Sequence, residues 1–143
     1  MGKQNICILF ALLCLFLSGC ESDVSKDQLS QLNGYWEITE VEFPNGKKKE
    51  YTVNPTVDFI EINDMTGFKK KVYPKFDGTY RTSDDAEPFK IIEGEKGLLF
   101  SYKKGLTEWQ ERIVLISKDN FAVTNQDGIT YSYKRFEPIN ITP

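Results

Sequence analysis

The sequence predicts an all-β chain: a single small antiparallel up-and-down β-barrel of about eight strands behind an exported amino terminus. Three observations predict it. From Leu32 onward the chain is a succession of short β-branched and aromatic runs cut by turn residues. Past the amino-terminal apolar run, no window carries apolar side chains at helical spacing over helical length. A meander of eight or nine hairpin-linked strands either exposes two edges or closes on itself. Closure at about eight strands leaves an interior wide enough for side chains or one small ligand.

The amino terminus sets the address. Lys3 supplies a positive charge, and Ile6 to Leu17 is an unbroken apolar run followed by Ser18-Gly19-Cys20. That run of about 12 residues makes roughly 18 Å of helix, short of the ~30 Å of hydrocarbon in a bilayer. Residues 1–19 therefore read as a signal peptide, not a membrane span. Leu17-Ser18-Gly19-Cys20 resembles a bacterial lipobox, which implies cleavage before Cys20 and lipidation of its sulfur. The resemblance places the chain in the cell envelope, held to a membrane by acyl chains worth ~0.8 kcal/mol per buried methylene. Glu21 stands where an aspartate would resemble an inner-membrane retention signal, so the outer membrane is expected, with its periplasmic and surface faces both open. Residues 20–30 read as the lipidated cysteine and a flexible polar tether, and residues 31–143 as one barrel domain.

Composition narrows the chemistry. Cys7 and Cys14 leave with the signal and Cys20 takes the lipid, so the mature domain has no thiol for a disulfide or a metal. Histidine is absent from the whole chain. Zinc sites built on these residues, a histidine base and a cysteine nucleophile are thereby excluded, and a non-enzyme without cofactor or metal is expected. Loss of Lys3 leaves 17 basic residues of the original 18 against 21 acidic ones, a formal charge of −4. Such a domain carries no electrostatic footprint for nucleic acid. Asp84-Asp85 with Glu87 reads as an exposed acidic turn, without the alternation of a calcium loop.

Taken in order, the first strand opens at Gly34-Tyr35-Trp36 and ends at Phe43-Pro44-Asn45-Gly46, where Asn-Gly signals a hairpin. Trp36, Ile38 and Val41 share a face only if a bulge shifts the register near Thr39 or Glu40. Lys47, Lys48 and Lys49 read as the solvated flank of that turn. Tyr51 to Val53 and Val57 to Ile62 read as one interrupted strand, with Asp58 on the face of Ile60 and Ile62. Phe68 to Tyr73 carries Lys69, Lys70 and Lys71 to both faces and reads as an edge strand. A short strand, Thr79 to Thr82, lies between turns. Phe89 to Glu93 and Leu98 to Lys103 form a hairpin through Gly94-Glu95-Lys96-Gly97, and Thr107 to Ser117, Phe121 to Asn125 and Ile129 to Phe136 complete the meander.

Leu32-Asn33-Gly34-x-Trp36-x-Ile38 at one end and Ile129-x-Tyr131-x-Tyr133-x-Arg135 at the other resemble the first and last strands of a lipocalin-like domain, of the kind found in Bacteroidetes lipoproteins. The resemblance implies a calycin-type barrel in which Gly34, Trp36 and Arg135 form the closed-end signature, the guanidinium lying on the indole face. Independently, strand alternation gathers Phe100 with Tyr102, Trp109 with Glu111, and Tyr131 with Tyr133 on inward faces. These six are the candidate cavity lining, and a buried Glu111 would need a partner such as Arg135 or a tyrosine hydroxyl. Beside an enzyme built on carboxylates and tyrosines, which the composition disfavours, two functions stay open for a monomeric chain. One is a carrier of a small lipophilic or aromatic molecule; the other is an interaction lipoprotein with a filled barrel that docks on an envelope protein partner.

Overall fold

Ten strands and one short helix make up the computed structural model, which describes residues 23–138; the expected signal peptide and Cys20 lie outside the described residues. The strands are β1 (Gly34–Glu42), β2 (Lys48–Glu50), β3 (Val57–Asn63), β4 (Thr66–Pro74), β5 (Tyr80–Thr82), β6 (Glu87–Gly94), β7 (Gly97–Lys104), β8 (Thr107–Ile116), β9 (Asn120–Asn125) and β10 (Thr130–Arg135). Eight of them run in the order β1-β3-β4-β6-β7-β8-β9-β10, and β10 pairs back onto β1, so the sheet closes as an antiparallel barrel. The short β2 and β5 pair only with β1 and β4. This is the all-β, closed antiparallel barrel that the strand pattern predicts.

Closure depends on two bulges. The β1 register shifts between Ile38 and Glu40, which brings Trp36, Ile38 and Val41 opposite Arg135, Tyr133 and Tyr131 of β10. A second shift between Ile113 and Leu115 does the same for Ile113 and Ile116 in β8. Each extra residue bends its strand and sharpens its twist, as a small barrel requires.

Three expectations are corrected. Lys26–Leu32, part of which falls within the supposed tether, is a 3-10 helix with Leu29 and Leu32 buried. Two leucines three apart meet on one side of such a helix, and here they cap the end of the core. Tyr51 to Val53 is loop, because Pro55 interrupts the ladder before β3 begins. The lysine triplet does not lie on an edge: β4 pairs with both β3 and β6. Lys69 and Lys71 are the partners of Ile60 and Asp58, so both lie on the inward face and only Lys70 turns out.

The helix ties down one barrel end through backbone accounting. The Gln28 side-chain amide donates to the Ile116 carbonyl at 3.1 Å, and the Asn33 side-chain oxygen accepts from the Ile62 N–H at 2.7 Å. Outside the barrel, Val57 and Val72 are 1% exposed although they face outward. The exterior there carries a small aromatic layer, Tyr35 stacked on Tyr80 at 4.2 Å with Phe59 and Phe136 beside them.

Candidate functional site

The two ends of the barrel differ, and the difference locates the site. At the helix end, the Arg135 guanidinium lies 4.1 Å from the centre of the Trp36 ring. Its nitrogens donate to the carbonyls of Lys118 (2.7 Å), Asn33 (2.9 Å) and Gln31 (2.7 Å), while the Trp36 indole N–H donates to the Leu32 carbonyl at 2.8 Å. The helix and the β8–β9 turn are thus pinned by one cation that also covers the indole face. Gly34 makes room for it: its φ is +122°, and a Cβ there would stand 2.8 Å from an Arg135 nitrogen. This end is sealed.

Above the seal the interior is filled by rings. Phe121 packs edge-on to Trp36 and flat against Tyr133, with centroids 4.8 and 4.4 Å apart. On the facing wall Phe89, Phe100 and Tyr102 form a second cluster, in which Phe89 meets Phe100 at 4.7 Å. Phe100 and Tyr102 are almost fully buried and Tyr133 nearly so. These three of the six candidate lining residues therefore lie in packed core. Trp109, Glu111 and Tyr131 are half-buried; Trp109 and Tyr131 stand near the loop ends of β8 and β10, and Glu111 is one inward step deeper, opposite Phe100. Trp109 stacks flat on Tyr102 at 5.0 Å.

The loop end also gathers charges. Asp58 is 2% exposed, and the Lys71 ammonium lies 2.5 Å from its Oδ1, off hydrogen-bonding geometry, so that oxygen is held by charge alone. Lys69 stands 5.1 Å over the Tyr102 ring and 3.9 Å from Glu87. Glu111 has no basic group within 4.0 Å among the described residues; its neighbour is the Tyr102 hydroxyl. Burial first, and then the Glu111 carboxylate, push the Tyr102 phenol well above its ordinary range. Burial and the Asp58 carboxylate do the same to Tyr133. Both phenols are therefore neutral donors at any ordinary pH. Arg135, the other partner considered for Glu111, is engaged at the opposite end.

Sequence reasoning passed over Asp58, Lys69, Lys71 and Glu87 as interior groups. For Asp58 the signal was present, since it alternates with Ile60 and Ile62. The inward lysines show only once β4 is known to be internal. Among the described residues no group of three or more histidine, cysteine, aspartate or glutamate side chains is placed to hold a metal ion, and no helix is long and apolar enough to cross a membrane.

A closed eight-stranded meander, sealed at one end by a short helix and a tryptophan–arginine stack, defines the protein as a small antiparallel β-barrel of the architecture that the resemblance to lipocalin-like domains implies. In shape it is similar to a lipocalin-like protein from Bacteroides uniformis, at 8% identity over 74% of this chain and 99% of that one, with a TM-score of 0.46. It is also similar to a redesigned beta barrel (18% identity, 81% and 100% covered, TM-score 0.42) and to lobster apocrustacyanin A1 (11% identity, 85% and 75% covered, TM-score 0.42). No protein-family model matches the sequence, and no curated protein is similar enough to be a relative.

Proposed function

We propose that this chain is a lipid-anchored, non-catalytic binding protein that takes a small lipophilic or aromatic molecule at the loop end of its barrel. One observation carries the reading: half-buried Trp109 and Tyr131, with Glu111 one step deeper on the inward face of β8, lie at the open end of a ring-filled core whose other end is sealed. An amphipathic surface of rings and a few placed polar groups is what a small-molecule site offers. Because Phe100 and Tyr133 fill the space beneath, the ligand is small or only partly enclosed. Anchoring through Cys20 at the outer membrane rests on the lipobox resemblance, and Cys20→Ala is expected to release the protein from the membrane fraction.

A second reading has its own support. Val53, Phe76 and Leu106 are 85%, 86% and 105% exposed and occupy three loops at the same barrel end. Exposed apolar tips of this kind suit docking on a protein partner in the envelope. Native mass spectrometry of the domain from Ser22 onward, made without the lipid and recovered from its own periplasm, separates the two. A stoichiometric small molecule that is lost on Tyr131→Ala supports the carrier. An empty mass, with no binding in a panel of lipophiles, leaves docking as the function.

A further inference from the structure

The charges at the loop end do not balance. Three carboxylates, Asp58, Glu87 and Glu111, lie on inward faces with two ammonium groups, Lys69 and the largely solvent-exposed Lys71. Lys71 is committed to Asp58 at 2.5 Å, and Lys69 lies between Glu87 and the Tyr102 ring. Glu111 is left over. Glu111 is the cross-strand partner of Phe100, whose ring is 1% exposed in the core, so its side chain lies on the inward face of β8 and not on the outer one. A half-buried carboxylate without a cation is costly, and a protein that keeps one gains by receiving a cation there.

The surroundings fit that cation. Tyr102 is 2% exposed and stands one inward position along β7 from Phe100, the cross-strand partner of Glu111. One face of Tyr102 is covered by Trp109 at 5.0 Å, which leaves the indole as the aromatic surface nearest Glu111 along β8, with Tyr131 on β10. Aromatic rings beside an unpaired carboxylate form the environment that recognises an ammonium group. We propose that the ligand is a lipophilic cation, its amine paired with Glu111 and its apolar body laid against Trp109 and Tyr131. Anionic lipophiles such as fatty acids are disfavoured by the same residual charge.

This inference rests on the binding reading above, and its test keeps the two apart. Octylamine, octanol and octanoate share one apolar body and differ in charge. Their dissociation constants for the domain from Ser22 onward, measured by calorimetry at neutral pH and low salt, are expected to rank amine below alcohol below carboxylate. Amine and alcohol should differ by roughly tenfold or more, the factor of one charge-assisted hydrogen bond. Glu111→Gln should abolish that preference, bringing amine and alcohol within about twofold while the alcohol still binds. Equal binding of all three by the wild type, or a preference for octanoate, overturns the cation and leaves the carrier standing. Binding of none overturns both.

Discussion

Arg135 ties the last strand to the helix and to the β8–β9 turn. It covers Trp36 and donates to three carbonyls, two of them in or next to the helix. Hydrogen bonds to a charged donor contribute about 1.5–3 kcal/mol each when buried, and less where water competes. Arg135→Ala is expected to cost about 2–3 kcal/mol in urea denaturation. Gly34→Ala should cost about 1–3 kcal/mol, because it strains a positive φ and pushes on the same guanidinium. A loss below about 0.5 kcal/mol for both, the level of an ordinary surface substitution, would show that the stack does not seal the barrel. Both residues were legible in the sequence as the ends of a motif. That Gly34 is needed for the approach of Arg135, and not merely for a turn, emerges only with the two strands side by side.

Elements with strong alternation were readable, and those whose role is set by partners were not. The hairpin β6–β7 and the run β8 to β10 follow their apolar alternation, since one face of each is core and a slip of one residue would bury the wrong side. The β1 bulge was legible because two apolar steps of unequal length had to reach one interior. The lysines of β4 were misplaced for the opposite reason. Charge on a strand suggests an edge, yet here the acceptors for inward lysines come from β3 and β6, distant in sequence or unpredictable in register. The 3-10 helix escaped because seven residues give too short a window for periodicity. Its importance can be measured. Leu32 is fully buried, and Leu32→Ala should cost about 2–5 kcal/mol. The same variant should raise hydrogen exchange at Ile62 and Arg135, whose backbone or side chain is bound to the helix or its cap. Unchanged exchange at both would show that the helix is not part of the cooperative unit.

Across the whole molecule, the filled lower barrel and the mixed charged and aromatic loop end act together in two ways. Tyr102 and Tyr133 are held neutral by burial against an ordinary value of 10.0. Below about pH 10 their contribution to stability is complete. Above it the unfolded chain loses protons that the folded barrel retains, so stability falls as pH rises. Each buried phenol adds up to ~1.4 kcal/mol per pH unit to that slope. Unfolding free energies from denaturant titrations at about pH 8 and about pH 11 should therefore differ by roughly 2–3 kcal/mol, and Tyr133→Phe should remove about half of the difference. A flat profile would mean that neither ring is enclosed. The other consequence is the proposed binding, on which the two tryptophans would report separately: Trp36 is in the sealed end and Trp109 at the loop end. Titrating the domain with octylamine while following tryptophan emission tests the central claim most directly. The account predicts a change that saturates at one molecule per chain and disappears in Trp109→Phe, where only Trp36 still emits. No saturable change, or one that persists undiminished in Trp109→Phe, would contradict a site at the loop end of the barrel.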